Sequence, residues 1–236
     1  MRLVGVGGEK TPKELFDLFA LRTPQINVIE GYGITECSPL VCLTTAGDEV
    51  VGVGRPIGGM EVKIVDLETH EDKPAETQGL IVVKGVSVFN GYLEGKPDPF
   101  LTLGDNEKWY NTGDLGYFTK AGQLIITGRE KRFVKIGGEM ISLPALEAVL
   151  NHRWPSSDER PLIAVESREI EGERPELIIF SVLENLTVED ANEALKEAGI
   201  GNVARISSVI NIPEMPLLGT GKTDYRSLKL KLKQSK

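Results

Sequence analysis

The sequence has very few of the residues that build metal centres and disulfides. Its 236 residues include two cysteines, Cys37 and Cys42, and two histidines, His70 and His152. The cysteines form no CxxC motif, which argues against a zinc site. We therefore expect two buried free thiols in a protein of a reducing compartment.

Long apolar runs are absent as well. No segment approaches the roughly 18 apolar residues of a membrane-spanning helix, and residues 1–5 are typical of a strand rather than a signal peptide. The net charge of −8 argues against general nucleic-acid binding. The last sixteen residues still carry six basic side chains and one acidic one. This pattern predicts a solvated helix face or, as a second interpretation, a surface for an acidic partner.

The first half of the sequence has the organisation of an α/β segment followed by a β-rich subdomain. We expect a strand at residues 3–6, a helix from a capping box at Thr11 and Glu14 to about residue 21, and a strand at residues 26–29. A glycine-bearing turn follows at residues 30–33. From about residue 50, short alternating segments separated by Gly, Pro and Asp predict the β-rich subdomain.

The second half predicts a compact α+β domain. A charged stretch at residues 128–132 has no hydrophobic period, and we place the domain boundary there. Ser142 followed by Pro144 begins a helix, and Thr187 caps another that Gly199 ends. Strands are expected at residues 162–166, 177–183 and 203–210, with a short helix after Asp224.

A lysine between glycines near the end of the chain is the first candidate for chemistry. Gly219, Gly221 and Lys222 resemble the end of a phosphate-binding P-loop, but Pro216 stands where that motif requires glycine. A flexible loop of this kind could deliver an ammonium group to a distant site. An exposed turn lysine is the equally simple alternative.

Three further segments could bind a nucleotide. The segment at residues 31–36 follows a strand and offers close backbone approach, a hydroxyl and a carboxylate for Mg²⁺. Asp114, after a turn at residues 110–113, could accept hydrogen bonds from ribose hydroxyls, although an Asx-type turn is the plain alternative. Residues 7–10, with Gly8, could provide backbone against which an adenine lies, but they do not form GxGxxG because position 10 is lysine.

Taken together, these motifs resemble the adenylate-forming (AMP-binding) superfamily of acyl-CoA synthetases, firefly luciferase and peptide-synthetase adenylation domains. Tyr-Gly-x-Thr-Glu, Thr-Gly-Asp, Gly-Arg-x-Lys, Lys-x-Gly-Gly-Glu and a terminal Gly-Lys occur in order and at the spacing of that family. The resemblance implies the carboxyl-terminal piece of an acyl-adenylate-forming synthetase. Residues 1–128 would complete the large AMP-binding domain, residues 129–132 would be a hinge, and residues 133–236 a small mobile domain.

The resemblance also implies roles for individual residues. ATP or AMP with Mg²⁺ would be the nucleotide cofactor, and a pantetheine thiol would accept the acyl group. The implied nucleotide-binding and metal residues are Gly8, Gly31, Tyr32 against the adenine, Gly33, Thr35 on the phosphate, Glu36 on Mg²⁺, Asp114 on the ribose, and Arg129 behind it.

In the small domain, the resemblance implies that Lys222 stabilises the charge that develops when a carboxylate attacks the α-phosphate. Lys131 would be the hinge residue, and rotation there would exchange Lys222 for a face that bears Lys135. Gly137 and Gly138 would leave room for the pantetheine arm.

Finer features resemble bacterial bifunctional 2-acylglycerophosphoethanolamine acyltransferase/acyl-[acyl-carrier-protein] synthetases. They are the Gly-Gly-Glu-Met-Ile-Ser-Leu run from Gly137 and the Met-Pro-Leu-Leu-Gly-Thr-Gly-Lys run to Lys222. The implied reaction joins a fatty acid to acyl-carrier-protein and serves lysophospholipid reacylation. The parent would lie on the cytoplasmic side of the bacterial inner membrane, with this piece soluble. Arg129, Lys131, Arg132 and Lys135 would steer the acidic carrier protein.

The family's phosphate-wrapping loop, rich in Ser, Thr and Gly, does not occur in this sequence. We therefore expect a missing amino-terminal part of the same polypeptide and no acyl-AMP synthesis by this piece alone. The alternatives are a coenzyme A ligase of the same superfamily, and a non-catalytic module that binds AMP or a carrier protein. A membrane anchor in the basic tail is a fourth idea, which the alternation of Leu228, Leu230 and Leu232 does not favour.

Overall fold

The computed structural model describes residues 2–9, 11–45, 51–93, 98–104, 106–157, 160–169 and 173–234. The chain divides into two compact units, Met1–Glu130 and Lys131–Lys236. The boundary between the two units follows Glu130 and so falls within the charged stretch 129–132. Each unit has sheets of its own, and both mix strands with helices.

The first unit begins with a four-stranded sheet in the order β1-β2-β3-β4. Its strands are β1 (Leu3–Gly7), β2 (Asn27–Gly33), β3 (Leu40–Leu43) and β4 (Arg55–Pro56), and helix α1 (Lys13–Arg22) connects the parallel pair β1 and β2. The strand–helix–strand start is therefore confirmed. The turn expected at residues 30–33 is wrong, because β2 continues through Gly33 and pairs with β3.

Helix α1 does not begin with the expected capping box. Pro12 is the residue before the helix, and no side chain caps it. Thr11 instead donates its backbone N–H to the carboxylate Oε1 of Glu30, at 3.0 Å. Glu30 is buried in β2, so a contact between distant parts of the chain takes the place of the local one.

The β-rich part of the first unit is a five-stranded sheet. Its strands are β5 (Met60–Val65), β6 (Gly79–Gly85), β7 (Phe100–Thr102), β8 (Lys108–Phe118) and β9 (Leu124–Arg129), ordered β5-β6-β8-β7 with β9 also paired to β8. A shared core joins this sheet to β2 and β3, and includes Tyr32, Val41, Ile81 and Leu124. Burial of such side chains contributes about 1.5–3 kcal/mol each.

The second unit has a two-stranded hairpin and a three-stranded sheet. The strands are β10 (Phe133–Ile136), β11 (Glu139–Ser142), β12 (Ile163–Arg168), β13 (Glu176–Ser181) and β14 (Ile206–Asn211); the helices are α2 (Leu143–Arg153), α3 (Val188–Glu197) and α4 (Tyr225–Gln234). This α+β composition is as expected. Within the described ranges the helices have 10 or 11 residues, and none of them could cross a lipid bilayer.

The helix starts of the second unit follow from local sequence. The Ser142 hydroxyl accepts the backbone N–H of Ala145 at 3.3 Å. Thr187 and Asp190 form a reciprocal capping box, in which each side chain accepts the other residue's backbone N–H. Two cores fill this unit: one lies between α2, α3 and the sheet, and the other packs Leu228 and Leu232 of α4 against residues that include Phe180.

Candidate functional site

A bulge in β8 shapes the centre of the candidate site. Val82 of β6 pairs with Asn111, whereas Leu80 pairs with Leu115, so extra residues of β8 stand opposite β6. The Asn111 side chain accepts the backbone N–H of Gly113 at 2.8 Å, and Gly113 has a φ of +68° that favours glycine. The expected Asx-type turn is therefore present, but it lies inside a strand rather than before one.

The bulge directs Asp114 into a buried contact with two partners. The Tyr32 hydroxyl donates to Asp114 Oδ2 at 2.6 Å, and Arg129 Nε lies 3.1 Å from Oδ1. Asp114 and Arg129 are cross-strand partners of β8 and β9. The Asp114 side chain is 6% exposed and that of Arg129 is 72% exposed, so the pair joins the interior to the surface.

The electrostatics of Asp114 are dominated by its burial. Removal from water raises the pKa of the Asp114 carboxyl, and this effect exceeds the opposing hydrogen bond from Tyr32 and the charge of Arg129. Burial also raises the pKa of Tyr32, with the Asp114 charge adding to it. Tyr32 therefore acts as a hydrogen-bond donor that fixes the orientation of the carboxylate.

The end of β2 requires glycine for close backbone packing. A Cβ on Gly33 would lie 2.0 Å from the Pro39 carbonyl oxygen, and one on Gly7 would lie 2.7 Å from the carbonyl oxygen of Gly31. Gly8, just after β1, has a φ of +87° and is exposed. Close packing and backbone conformation thus explain these glycines without a ligand. Their predicted contacts with a nucleotide stay predictions.

The 3₁₀ turn Thr35–Cys37 follows β2 and presents Thr35 and Glu36. Thr35 is exposed and Glu36 is half-buried. The Tyr92 hydroxyl donates to Glu36 Oε1 at 2.7 Å and lies 3.3 Å from the Tyr110 hydroxyl. The Glu36 backbone carbonyl accepts the N–H of Phe89 at 2.8 Å. The carboxylate is therefore positioned by an aromatic cluster that the sequence interpretation did not include.

That cluster borders an open groove of about 520 Å³. The ring of Phe89 lies 4.9 Å from that of Tyr92 and 5.3 Å from that of Tyr110, both edge to face. Phe100 completes the cluster. Tyr92 was missed because a Gly-Tyr pair in a loop gives no sign of its distant partner Glu36.

Glu36 could hold a metal ion only with help from other ligands. Among the described residues, no group of three or more His, Cys, Asp or Glu side chains is arranged to bind a metal. A single carboxylate suits Mg²⁺, which commonly binds one or two carboxylates, nucleotide phosphates and water. The donor set therefore fits a metal that arrives with a nucleotide.

In the second unit, Lys135 lies on β10 and the paired glycines form the turn that follows. Gly137 and Gly138 have φ values of +59° and +88°, as a two-residue hairpin turn between β10 and β11 requires. Lys135 is exposed, and so are both glycines. The turn explains the glycines in structural terms, and the predicted pantetheine passage stays a prediction.

Lys222 lies in a narrow loop that closes on itself. Leu217 and Thr223 form an isolated bridge, the Leu218 N–H donates to the Lys222 carbonyl at 2.7 Å, and the Gly221 N–H donates to the Leu218 carbonyl at 2.8 Å. The Lys222 side chain is exposed. The loop is thus an ordered turn that presents a lysine.

The structure corrects the expectation that Arg132 faces an acidic carrier protein. Its guanidinium pairs with Glu147 at 2.6 Å and with Glu166 at 2.7 Å, and its side chain is 11% exposed. Its charge is used inside the second unit. Lys131, the preceding residue of the same unit, is exposed.

The structure joins some of the predicted residues directly. Tyr32, Asp114 and Arg129 form one hydrogen-bonded group, and Glu36 lies four residues beyond Tyr32 on the same segment. Both cysteines are buried as expected, and burial raises the pKa of Cys37 to about 11 and that of Cys42 to about 12. Lys131, Lys135 and Lys222 belong to the second unit.

Known proteins are similar to this chain in sequence and in fold. Residues 1–93 match the family described as AMP-binding enzyme. A 4-coumarate–CoA ligase 1 of Glycine max is 29% identical over 100% of this chain and 82% of its own length. The chain is therefore similar to AMP-binding enzymes over residues 1–93 and to this ligase over its whole length.

Solved structures share the fold. ATP-bound MatB from Rhodopseudomonas palustris has a TM-score of 0.77 at 23% identity, over 99% of this chain and 46% of its own. The o-succinylbenzoate–CoA synthetase MenE from Bacillus subtilis, in complex with ATP and magnesium ion, has a TM-score of 0.73 at 22% identity, over 97% and 46%. The chain has a mixed α/β fold that matches these enzymes and spans about half of their length.

Proposed function

We propose that this chain is the carboxyl-terminal portion of an ATP-dependent acid–thiol ligase. The observation that carries the proposal is the group of Tyr32, Asp114 and Arg129, set one short turn from Thr35 and Glu36. A fixed carboxylate beside a cation suits ribose hydroxyls, and an exposed hydroxyl beside a carboxylate suits phosphate and Mg²⁺. The similarity to AMP-binding enzymes supports the same assignment.

In the proposed reaction a substrate carboxylate attacks the α-phosphate of ATP, which forms acyl-AMP and releases pyrophosphate. A thiol then attacks the acyl carbon, which forms a thioester and releases AMP. Lys222 would stabilise the negative charge of the first transition state, and its compact ammonium suits a point contact with phosphate oxygens. Mg²⁺, when bound, would neutralise phosphate charge beside Glu36.

The second half would follow a turn of Lys131–Lys236 about Lys131. Lys135 would then contact the acyl-adenylate, and the Gly137–Gly138 turn would lie beside the pantetheine arm. The acceptor we favour is acyl-carrier-protein, with a fatty acid as substrate and lysophospholipid reacylation at the inner membrane as the destination. Coenzyme A is the alternative acceptor, and the ligase named above supports it.

Nucleotide binding by the chain itself tests the proposal. Calorimetry should detect AMP binding, and Asp114→Asn should weaken it by roughly tenfold or more, because a charged acceptor for the ribose is lost. Asp72→Ala removes an exposed acid of the same unit and should leave the affinity unchanged. No AMP binding by the wild-type chain, or equal affinity in Asp114→Asn, would count against the site.

Two further measurements separate the acceptors and the alternative function. The chain alone should show no fatty-acid-dependent ATP–pyrophosphate exchange, since the phosphate-wrapping loop is lacking. The full-length gene product should exchange, and thioester formation with holo-acyl-carrier-protein and with coenzyme A then decides the acceptor. A full-length product that binds AMP but never exchanges would point to a non-catalytic module.

A further inference from the structure

The second unit contains a buried carboxylate that joins two distant parts of the chain. Glu147, on α2, is 8% exposed. Its Oε1 accepts from the Arg132 guanidinium at 2.6 Å and from the Val165 backbone N–H at 2.7 Å. Its Oε2 accepts from the Tyr225 hydroxyl at 2.8 Å. Both oxygens are therefore engaged, one on each side.

Arg132 and Tyr225 also touch each other. The guanidinium carbon lies 3.6 Å from the centre of the Tyr225 ring, a cation–π distance. Arg132 further donates to Glu166 Oε1 at 2.7 Å and to the Val165 carbonyl at 3.0 Å. We name Arg132, Glu147, Glu166 and Tyr225 the buried clamp. Arg132 thus pairs with two carboxylates in a nearly dry site, and the charge of Lys229 also acts on Glu166.

The sequence positions of these residues link the buried clamp to Lys131 and to Lys222. Arg132 is the second residue of the second unit, directly after Lys131. Tyr225 is the first residue of α4 and lies three positions after Lys222. Asp224, which lies between Lys222 and Tyr225, donates its N–H to the Pro216 carbonyl at 2.8 Å. This hydrogen bond joins the two ends of the loop that carries Lys222.

We propose that Arg132 and Tyr225 are positioning residues that hold the Lys222 loop at a fixed place relative to Lys131. The inference rests on the proposed function, which gives Lys131 the hinge role and Lys222 the role of the mobile cation. With the clamp closed, any turn about Lys131 carries Lys222 as part of a rigid body. With the clamp open, the same turn leaves the position of the loop undefined.

Hydrogen exchange of the purified chain, followed by mass spectrometry, tests the clamp without any substrate. Tyr225→Phe keeps the ring over Arg132 and removes the hydroxyl, with its hydrogen bond to Glu147 and its contact with Thr223. The amides of Leu218 and Gly221, which are hydrogen-bonded within the loop, should then exchange about tenfold faster or more, since a bond to a charged group is lost. Amides of β13 should keep their wild-type rates.

A matched control breaks a different ion pair of the same unit. Arg168 pairs with Glu176 across β12 and β13, at 2.6 Å, and Arg168→Gln should leave the loop amides unchanged. Loop exchange within twofold of wild type in Tyr225→Phe would overturn the proposal. So would equal acceleration in the loop and in β13, because that pattern indicates a general loss of stability.

The hydrogen-exchange test of the clamp and the activity test of the proposed function can fail independently. Local acceleration in Tyr225→Phe supports the clamp even if Lys222→Ala leaves adenylation by the full-length gene product unchanged, a result that would remove only the role of Lys222. Tyr225→Phe decides the question because it keeps every charge in place.

Discussion

Substitution of Tyr32 by phenylalanine is the sharpest probe of the group around Asp114. The change removes one hydroxyl that donates to Asp114 Oδ2 at 2.6 Å and leaves the ring in the core. Asp114 keeps Arg129 on its other oxygen. The main loss is therefore one buried, charge-assisted hydrogen bond, together with the contact of the same hydroxyl with Thr112.

The expected magnitude follows from that geometry. A hydrogen bond to a charged group contributes about 1.5–3 kcal/mol, and we expect a loss of about 2 kcal/mol for the first unit. For a urea dependence of about 2 kcal/mol/M, the midpoint of unfolding should fall by about 1 M. Since the Tyr32 hydrogen bond lowers the pKa of Asp114, its removal should also raise that pKa further.

The two tryptophans allow each unit to be followed separately. Trp109 is 1% exposed in the first unit, and Trp154 belongs to the second. Urea unfolding in a Trp154→Phe background, followed by fluorescence, then reports on the first unit. Tyr117→Phe is the control, because Tyr117 lies in the same strand as Asp114 and its hydroxyl has no hydrogen bond to a described residue.

A Tyr32→Phe midpoint within about 0.25 M of wild type would refute the reasoning, since it would mean that the bond contributes less than about 0.5 kcal/mol. An equal loss in Tyr117→Phe would refute it as well. In that case the effect would belong to any hydroxyl of the sheet rather than to the contact with Asp114.

Two further predictions concern titrating groups. Cys37 and Cys42, whose pKa values are raised by burial to about 11 and about 12, should resist iodoacetamide at pH 8 in the folded chain and react in urea, as peptide mass spectrometry would show. Fast modification of the folded chain would contradict their burial. Asp114 has a folded pKa above its ordinary value of 3.8, so its contribution to stability is present at low pH and is lost as pH rises through that folded pKa. The free energy of unfolding of wild type minus that of Asp114→Asn should therefore fall as the pH rises above 3.8 and through the folded pKa. A difference that rises with pH would show the opposite shift.

Local signals in the sequence predicted much of the fold. Thr187 with Asp190, and Ser142 before Pro144, identify the starts of α3 and α2 because capping depends on residues within one turn. The same logic failed at Thr11, whose backbone N–H is taken by Glu30, 19 positions away. A capping pattern predicts a helix start only when no distant acceptor competes for the donor.

Local sequence patterns could not predict the partners of the candidate site residues. Tyr32 and Asp114 are 82 positions apart, and Tyr225 and Glu147 are 78 apart. The first contact depends on strand register and on the bulge in β8, and the second joins helices α2 and α4. No short motif encodes either of them. The sequence therefore indicated Asp114 as a candidate but could not show that its pKa is governed by burial.

Arg132 is a second residue whose environment local sequence patterns could not predict. A basic residue in a run of charged residues is usually solvated, and its neighbours Lys131 and Arg129 are exposed. Only the fold reveals Glu147 and Glu166 beside it, on α2 and β12. Charge patterning predicted where a polar surface lies, but it could not separate the one inward-facing cation from the rest.

Helix α4 sets a limit on how the protein can be shortened. Its lysines face solvent, whereas Leu228 and Leu232 form one wall of the core around Phe180. Trimming the basic end to improve expression would uncover that wall and leave Phe180 against water. An affinity handle fused after the last residue adds polypeptide without removing any of this packing, so the carboxyl terminus tolerates extension better than deletion.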